Sequence, residues 1–459
     1  MRILFAILCS LFTSVLSYAD STSIAGTAHG AEGQMIRLMA EEDFISQKTV
    51  VLTQNRVDAD GNFLLTYNAE ETFRAYLDIN YQRTDIFLVP GKTYALQITF
   101  SPEEQMRSYY ERQPLPYRFQ DAPEDDLNML LSTFNRLYNQ FVTDNFNRIY
   151  VVRDKDLVHE FRMKIDSIFV SVDNSYFNEC VRYRFAGLEQ LARIKSKRTI
   201  ALEYFAGNPI LYNNIEYTFF FNEFFGQLLL TSPGLITISD LIIAVNDKKD
   251  PDILHNALLK TGYLDDERLR ELVLLLNLRD IYGSAGFYND RVIDMINRIG
   301  AGSKYPHHQK IAKNIEDEMN KLAAGSPAPN LKLTSIGGYD FQLKNIRSKP
   351  VLLMFFHSGQ KITTTYLDEL AEIYEKFKAG LEVISVSMDQ DPMAYLPLAN
   401  SGKYGWSFAH YGNKPAVFDL YNIRDLPLFV LINADGDISM YPAPPPGEQL
   451  ERGIMKVIH

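Results

Sequence analysis

The chain is poor in cysteine: among 459 residues only Cys9 and Cys180 occur. A disulfide-stapled scaffold is excluded by that count, and so is any C-x-x-C pair for a dithiol redox cycle. Tryptophan is nearly absent, with one residue at Trp406. Basic residues are outnumbered, 46 Lys+Arg against 57 Asp+Glu, for a formal charge of −11. With no Lys/Arg cluster, that balance argues against a nucleic-acid partner. No Ser–His–Asp signature, phosphate loop, dinucleotide fingerprint or zinc motif is found. Past the N-terminus no apolar run is long enough to span a bilayer.

What the chain has in quantity is aromatic residues: 29 Phe and 27 Tyr. At 46% hydrophobic and 22% charged, it is an ordinary globular composition. Residues 1–19 read as a secretory signal peptide, with Arg2 before an apolar stretch Ile3–Val15 and the small residues Ser17 and Ala19 at a cleavage site. An exported protein of the periplasm or cell envelope is expected. Cleavage there removes Cys9 and leaves Cys180 alone.

Residues 20–104 read as a β-sandwich-like domain of short strands separated by turn signals such as Asp60-Gly61 and Pro90-Gly91. Asp58-Ala59-Asp60-Gly61 has a calcium-loop look but no acid at the bidentate position, so a turn is the better reading. The Pro-rich stretch 102–125 reads as a connection. Residues 105–325 are expected to be mainly helical. Leu127, Leu130, Leu131, Phe134, Leu137, Tyr138 and Phe141 recur on one helical face. The aromatic run Tyr217–Phe225 reads as helix core, and Cys180 as a buried structural residue. His307-His308 is expected in a loop and not as a metal pair, because adjacent side chains diverge. Trp406 is expected to pack.

After Gly325-Ser326-Pro327-Ala328-Pro329 the pattern changes to alternating strands and helices. Val351–Phe356 is an uninterrupted apolar run, as a strand covered on both faces requires. An amphipathic helix is expected over Thr364–Lys378, with Gly380 at its left-handed end. A second strand over 381–388 makes a parallel pair with the first, and 429–432 with 438–441 makes a hairpin.

The ordered set Ala328-Pro329, strand 351–356, helix, strand 381–388, Tyr421–Pro427 and Asn433-Ala434-Asp435-Gly436 resembles the thioredoxin fold. More narrowly it resembles TlpA/AhpC-TSA-type periplasmic thiol–disulfide proteins, and the upstream arrangement resembles the long N-terminal regions that such proteins of Bacteroidetes-type bacteria carry. The resemblance implies a C-terminal α/β thioredoxin-like domain over 326–459 behind a β-sandwich and a helical region. It implies a C-x-x-C after the first central strand, where Gln360 and Thr363 stand instead. It implies that Pro427 is a cis-proline facing that site. His357, Ser358, Gly359, Leu426 and Pro427 form the candidate groove, with no catalytic residue, metal ligand or cofactor assigned; His357 alone is expected in a surface or capping role. The leading expectation is an exported protein that binds an extended peptide or envelope protein, or acts as a scaffold, without thiol chemistry. A thiol–disulfide oxidoreductase or peroxidase-like enzyme working through one cysteine, and carbohydrate binding by the sandwich, remain as alternatives.

Overall fold

The computed structural model describes residues 21–80, 82–101, 114–335, 340–346, 349–412, 414, 416–423 and 425–458. The expected signal peptide, the turn at 336–339 and Arg424 lie outside the described residues.

Eight strands make the N-terminal domain: β1 Thr22–His29, β2 Met35–Glu41, β3 Thr49–Arg56, β4 Asn62–Tyr67, β5 Phe73–Ile79, β6 Gln82–Leu88, β7 Thr93–Thr99 and β8 Tyr117–Phe119. They form two four-stranded sheets, ordered β4-β1-β7-β8 and β3-β2-β5-β6. Alternate residues of both sheets, among them Ile24, Leu38, Leu65, Leu77, Ile86 and Leu96, meet in one buried core. That shared interior makes the pair a sandwich. One expectation needs adjustment. The stretch read as a plain connection contains β8, which pairs antiparallel with β7, so the sheet continues beyond residue 104. Asp58 caps its own hairpin turn, accepting from the amides of Asp60 (2.9 Å) and Asn62 (2.7 Å).

The helical region begins with Leu127–Asp144, where Asp126 caps the first turn. Its stripe of Leu127, Leu130, Leu131, Phe134 and Tyr138 is buried. Helix Ile215–Phe225 buries Tyr217, Phe220, Phe221, Phe224 and Phe225, while Phe219 stays exposed. The histidine pair lies in the first turn of helix Pro306–Asn320, not in a loop. Pro306 starts that helix because a missing N–H costs nothing in the first turn. The two rings do diverge. His308 is fully buried between Glu271 Oε1 (2.6 Å) and the Tyr212 hydroxyl (2.8 Å). His307 stacks on the Tyr212 ring.

Sandwich and helices are docked. Phe44 and Ile45 enter the helical core, and the Asn128 amide clasps the Phe87 backbone, accepting from its N–H (2.7 Å) and donating to its carbonyl (3.0 Å).

The C-terminal domain adds β9 Lys332–Ser335, β10 Asp340–Gln342, β11 Val351–Phe356, β12 Glu382–Ser387, β13 Ser407–His410, β14 Leu428–Ile432 and β15 Ile438–Ala443. Their order is β10-β9-β13-β12-β11-β14-β15. β11 runs parallel to β12 and antiparallel to β14. All six residues of β11 are buried. Leu352, Met354 and Phe356 pack against Leu367, Leu370 and Ile373 of the crossover helix Lys361–Phe377. Val351, Leu353 and Phe355 face the opposite layer, which includes Leu322 from the helical side of the linker. Trp406 is packed, its Nε1 donating to Ser385 Oγ (2.9 Å). Gly380 is not in the left-handed region; the helix ends at Lys378, and a Cβ on Gly380 would meet Ile458 Cγ2 at 3.0 Å. Close approach of the C-terminal helix explains this glycine better than a helix cap.

Candidate functional site

The chain leaves β11 at Phe356 and enters the crossover helix at Lys361, so residues 357–360 form the turn at the C-terminal end of the central strands. The helix starts earlier than its apolar periodicity predicts, because Gln360 takes the N-cap position with extended backbone. Its side chain makes no capping bond, and Gln360 Oε1 is buried without a hydrogen-bond partner among the described residues. Thr363 stands in the first turn, fully buried. Its amide donates to the Gln360 carbonyl (3.1 Å) and its hydroxyl to the His357 carbonyl (2.9 Å). Residues 360 and 363 therefore face each other across one tight turn at a helix N-terminus, where a negative charge would be stabilised. A thiol placed there would be activated. An amide and a threonine hydroxyl cannot form a thiolate or a mixed disulfide.

Asp389, just past β12, holds this turn and is almost fully buried. Its carboxylate accepts from the Ser358 amide (3.1 and 3.2 Å), the Ser358 hydroxyl (2.9 Å) and the Ser387 hydroxyl (2.7 Å). His357 Nδ1 lies 3.2 Å from Asp389 Oδ1 and 3.0 Å from the Gly359 amide. One ring nitrogen cannot serve both. With its proton on Nε2 alone the ring accepts from Gly359; with a proton on Nδ1 it donates to Asp389. His357 is part-exposed and its ring reaches the Gly359 amide of the turn, in line with the expected surface or capping role, while the end of β12 delivers an acid that sequence spacing did not show. Serine, histidine and acid are all present, yet the Ser358 proton goes to the carboxylate. A Ser–His–acid nucleophile requires that proton on the imidazole. The arrangement positions a loop.

His410, at the end of β13, completes the buried layer. Gly412 N–H donates to His410 Nδ1 (3.0 Å), which leaves Nε2 to donate to the Asp389 carbonyl (2.7 Å). Burial holds its pKa below the ordinary histidine value.

The Leu426–Pro427 peptide is cis. Phe355 pairs with Leu428, so Pro427 sits beside the end of β11, at the same sheet end as residues 357–360. Leu426 packs partly into the core. Pro427 also opens onto a second space, a cavity of about 760 Å3 bordered by Arg279 and Tyr282 of the helical region and by Ser46 of the sandwich. Residues 357–360 do not line it. The structure brings the sequence candidates 357–360 and Pro427 to one end of the sheet, and adds Asp389, His410 and the helical wall, which sequence reasoning did not name. For Asp389 a signal existed: an acid directly after a buried strand. For Arg279 and Tyr282 there was none.

Residues 348–438 match the family model for thioredoxin-like domains. The thiol-disulfide oxidoreductase ResA of Geobacillus kaustophilus is 29% identical over 132 residues, covering 28% of this chain and 74% of that protein. ResA of Bacillus thuringiensis is 28% identical over 123 residues, 26% of this chain and 70% of the relative. A solved thioredoxin domain of a thiol-disulfide oxidoreductase from Bacteroides vulgatus shares 23% identity, covering 30% of this chain and 99% of that one, with a TM-score of 0.28. A thioredoxin-like protein from Bacteroides caccae shares 16% identity, covering 50% of this chain and 86% of that one, with a TM-score of 0.35. The C-terminal domain is thioredoxin-like, and its curated relatives are thiol-disulfide oxidoreductases.

Proposed function

We propose that this chain is an exported, multidomain protein whose thioredoxin-like domain keeps the shape of a thiol–disulfide site without its chemistry, and that it binds an extended peptide or protein segment of the cell envelope. One observation carries the reading: the helix N-terminus after β11 presents Gln360 and Thr363, and the sequence has no cysteine after Cys180. Disulfide exchange needs a thiolate that attacks and a second thiol that resolves the mixed disulfide. Neither is supplied at this position.

The shape supports a retained binding role. Pro427 is cis beside the turn, and the Asp389 carboxylate takes three donors, the Ser358 amide and the Ser358 and Ser387 hydroxyls, to hold the turn against the end of β12.

The single-cysteine alternative meets a physical obstacle. Cys180 is fully buried in the helical region, and burial pushes its thiol well above the usual cysteine range. A thiol in that state is a poor nucleophile at neutral pH. Carbohydrate binding by the sandwich has no specific observation in its favour.

The test is the reduction of insulin disulfides by the chain lacking residues 1–19, with dithiothreitol as electron donor. The expected rate is that of dithiothreitol alone. Catalysis above that rate overturns the reading.

A further inference from the structure

We propose that the gap between the helical region and the thioredoxin-like domain is a binding cleft for an extended peptide that carries lysine or arginine. The proposal rests on the peptide-binding reading and gives that reading a location and a charge.

Two adjoining chambers make the cleft. The first, about 760 Å3, has Pro427 and Leu428 on one wall and Arg279 and Tyr282 on the other. The second, about 880 Å3, continues past Pro442 to Ile293 and Leu322. Arg279, Tyr282, Asn422 and Tyr441 border both, so the chambers are neighbours along one gap. Either one alone is in the ~300–1,000 Å3 range of small-ligand sites. Joined end to end they suit a length of chain better than a compact molecule.

The walls are fixed by bonds that do not depend on an occupant. The Tyr282 hydroxyl donates to the Met319 carbonyl (3.1 Å), and the Tyr441 hydroxyl to the Tyr421 carbonyl (2.7 Å). Ser46 is held by Asp43, which in turn accepts from Asn314 of helix Pro306–Asn320 (2.9 Å). The linker is stitched to β15: Gly325 N–H donates to the Ile438 carbonyl (2.7 Å) and Ile438 N–H to the Ser326 carbonyl (2.8 Å). The two domains are thereby set at a fixed spacing with the gap between them. A preformed site avoids the ordering cost of binding.

The lining decides the ligand's chemistry. Asp290, Glu318, Asp419 and Asp425 border the cleft, against Arg279 and Lys321. The Arg279 guanidinium is already engaged by Asp280 (2.6 Å) and by the Ile45 carbonyl (2.6 Å). Among the described lining residues the acids outnumber the bases four to two, with Asp290 itself paired to Arg291 (3.4 Å), so an anion or a nucleic acid has the wrong charge and a cationic chain the right one. Met319, Met440 and Leu428 add apolar surface for the segment's uncharged side chains, and thioether groups adapt to varied shapes.

The probes are a fluorescein-labelled decapeptide of Lys, Leu and Val and its Glu-for-Lys counterpart, measured by anisotropy on the chain lacking residues 1–19. The Lys peptide is expected to bind at least ~10-fold tighter than the Glu peptide, with binding weakened by salt. Asp290→Lys with Glu318→Lys is expected to narrow or reverse that ratio. Photo-cross-linking of a benzophenone-bearing Lys peptide to the unsubstituted chain, read by peptide mapping, is expected to label the segments 279–293, 318–324, 419–428 or 440–442, which make the two walls; it does not depend on any variant folding. Equal affinity for the two peptides, an unchanged ratio in the double variant, or labelling elsewhere overturns the cleft. If binding is charge-blind and the cross-link falls on residues 357–360, which line neither chamber, the cleft fails and the peptide-binding reading stands. Failure of both peptides to bind overturns the cleft, while the insulin assay still judges the loss of thiol chemistry separately.

Discussion

The turn at residues 357–363 and the surroundings of Cys180 are opposites. The turn lies at the end of the central strands, before a helix N-terminus, where a thiol would be acidic and reactive. It holds Gln360 and Thr363. Cys180 lies in helix Ser175–Leu191, fully buried among Phe177, Phe185 and Leu188, with its Sγ against the Asn214 side chain at 3.4–3.6 Å. Burial keeps that thiol protonated. One region has the setting for thiol chemistry without the residue; the other has the residue without the setting. Reactivity belongs to the combination, so neither a fold match nor a cysteine count alone predicts it.

The largest expected effect concerns Cys180. Its labelling by a thiol reagent should be slowed about a thousandfold or more in the native protein relative to the guanidinium-unfolded chain, because access requires opening a core stabilised by several kcal/mol. Rapid native labelling at neutral pH would erase the contrast between the two regions.

The next concerns what holds the turn. Asp389→Ala leaves the Ser358 and Ser387 hydroxyls and the Ser358 amide without their acceptor, at a cost of about 2–4 kcal/mol in denaturant unfolding. His357→Ala should cost less than about 1 kcal/mol, because the ring is one-third exposed. Equal costs would mean that the carboxylate does not organise the turn.

A smaller effect sharpens the boundary between the regions. Leu322 is buried in the core of the thioredoxin-like domain, and Gly325 N–H bonds to β15. A fragment 320–459 should therefore fold cooperatively and be about 1–3 kcal/mol more stable than 326–459, the value of one buried leucine. Equal stability would place the boundary at the Gly-Ser-Pro-Ala-Pro break itself.

The smallest effect is a pH dependence. Burial holds His410 below its ordinary pKa, so on acidification the unfolded chain takes up that proton first. Stability linked to His410 is complete above ~6.5 and is lost as pH falls below it. His410→Gln should flatten the decline in unfolding free energy between pH 7 and 5.5; an unchanged slope would show that His410 is not responsible.

The strands and helices were legible because burial imposes its period on sequence. The all-apolar run Val351–Phe356 could only be a doubly covered strand, and the stripe from Leu127 to Tyr138 could only be one face of a helix. The absence of a thiol at 360 and 363 was legible because it is a matter of residue identity. Three features were hidden. β8 is three residues long and too short to show a period. The partnership of His357 with Asp389 joins residues just past the ends of neighbouring strands, and only the parallel register of β11 and β12 brings them together. The cleft beside Pro427 depends on how separate domains dock, which local pattern does not encode.

The most direct measurement is disulfide formation in Gln360→Cys with Thr363→Cys. The bond from Thr363 N–H to the Gln360 carbonyl closes a turn whose ends lie within ~7 Å, inside the reach of a disulfide at Cα separations of ~4.4–6.8 Å. The account predicts that the folded double variant forms this bridge under mild oxidation, releases it to dithiothreitol at a defined potential, and gains insulin reduction that the unsubstituted chain lacks. A folded double variant that never bridges, or an unsubstituted chain that already reduces insulin, would contradict it.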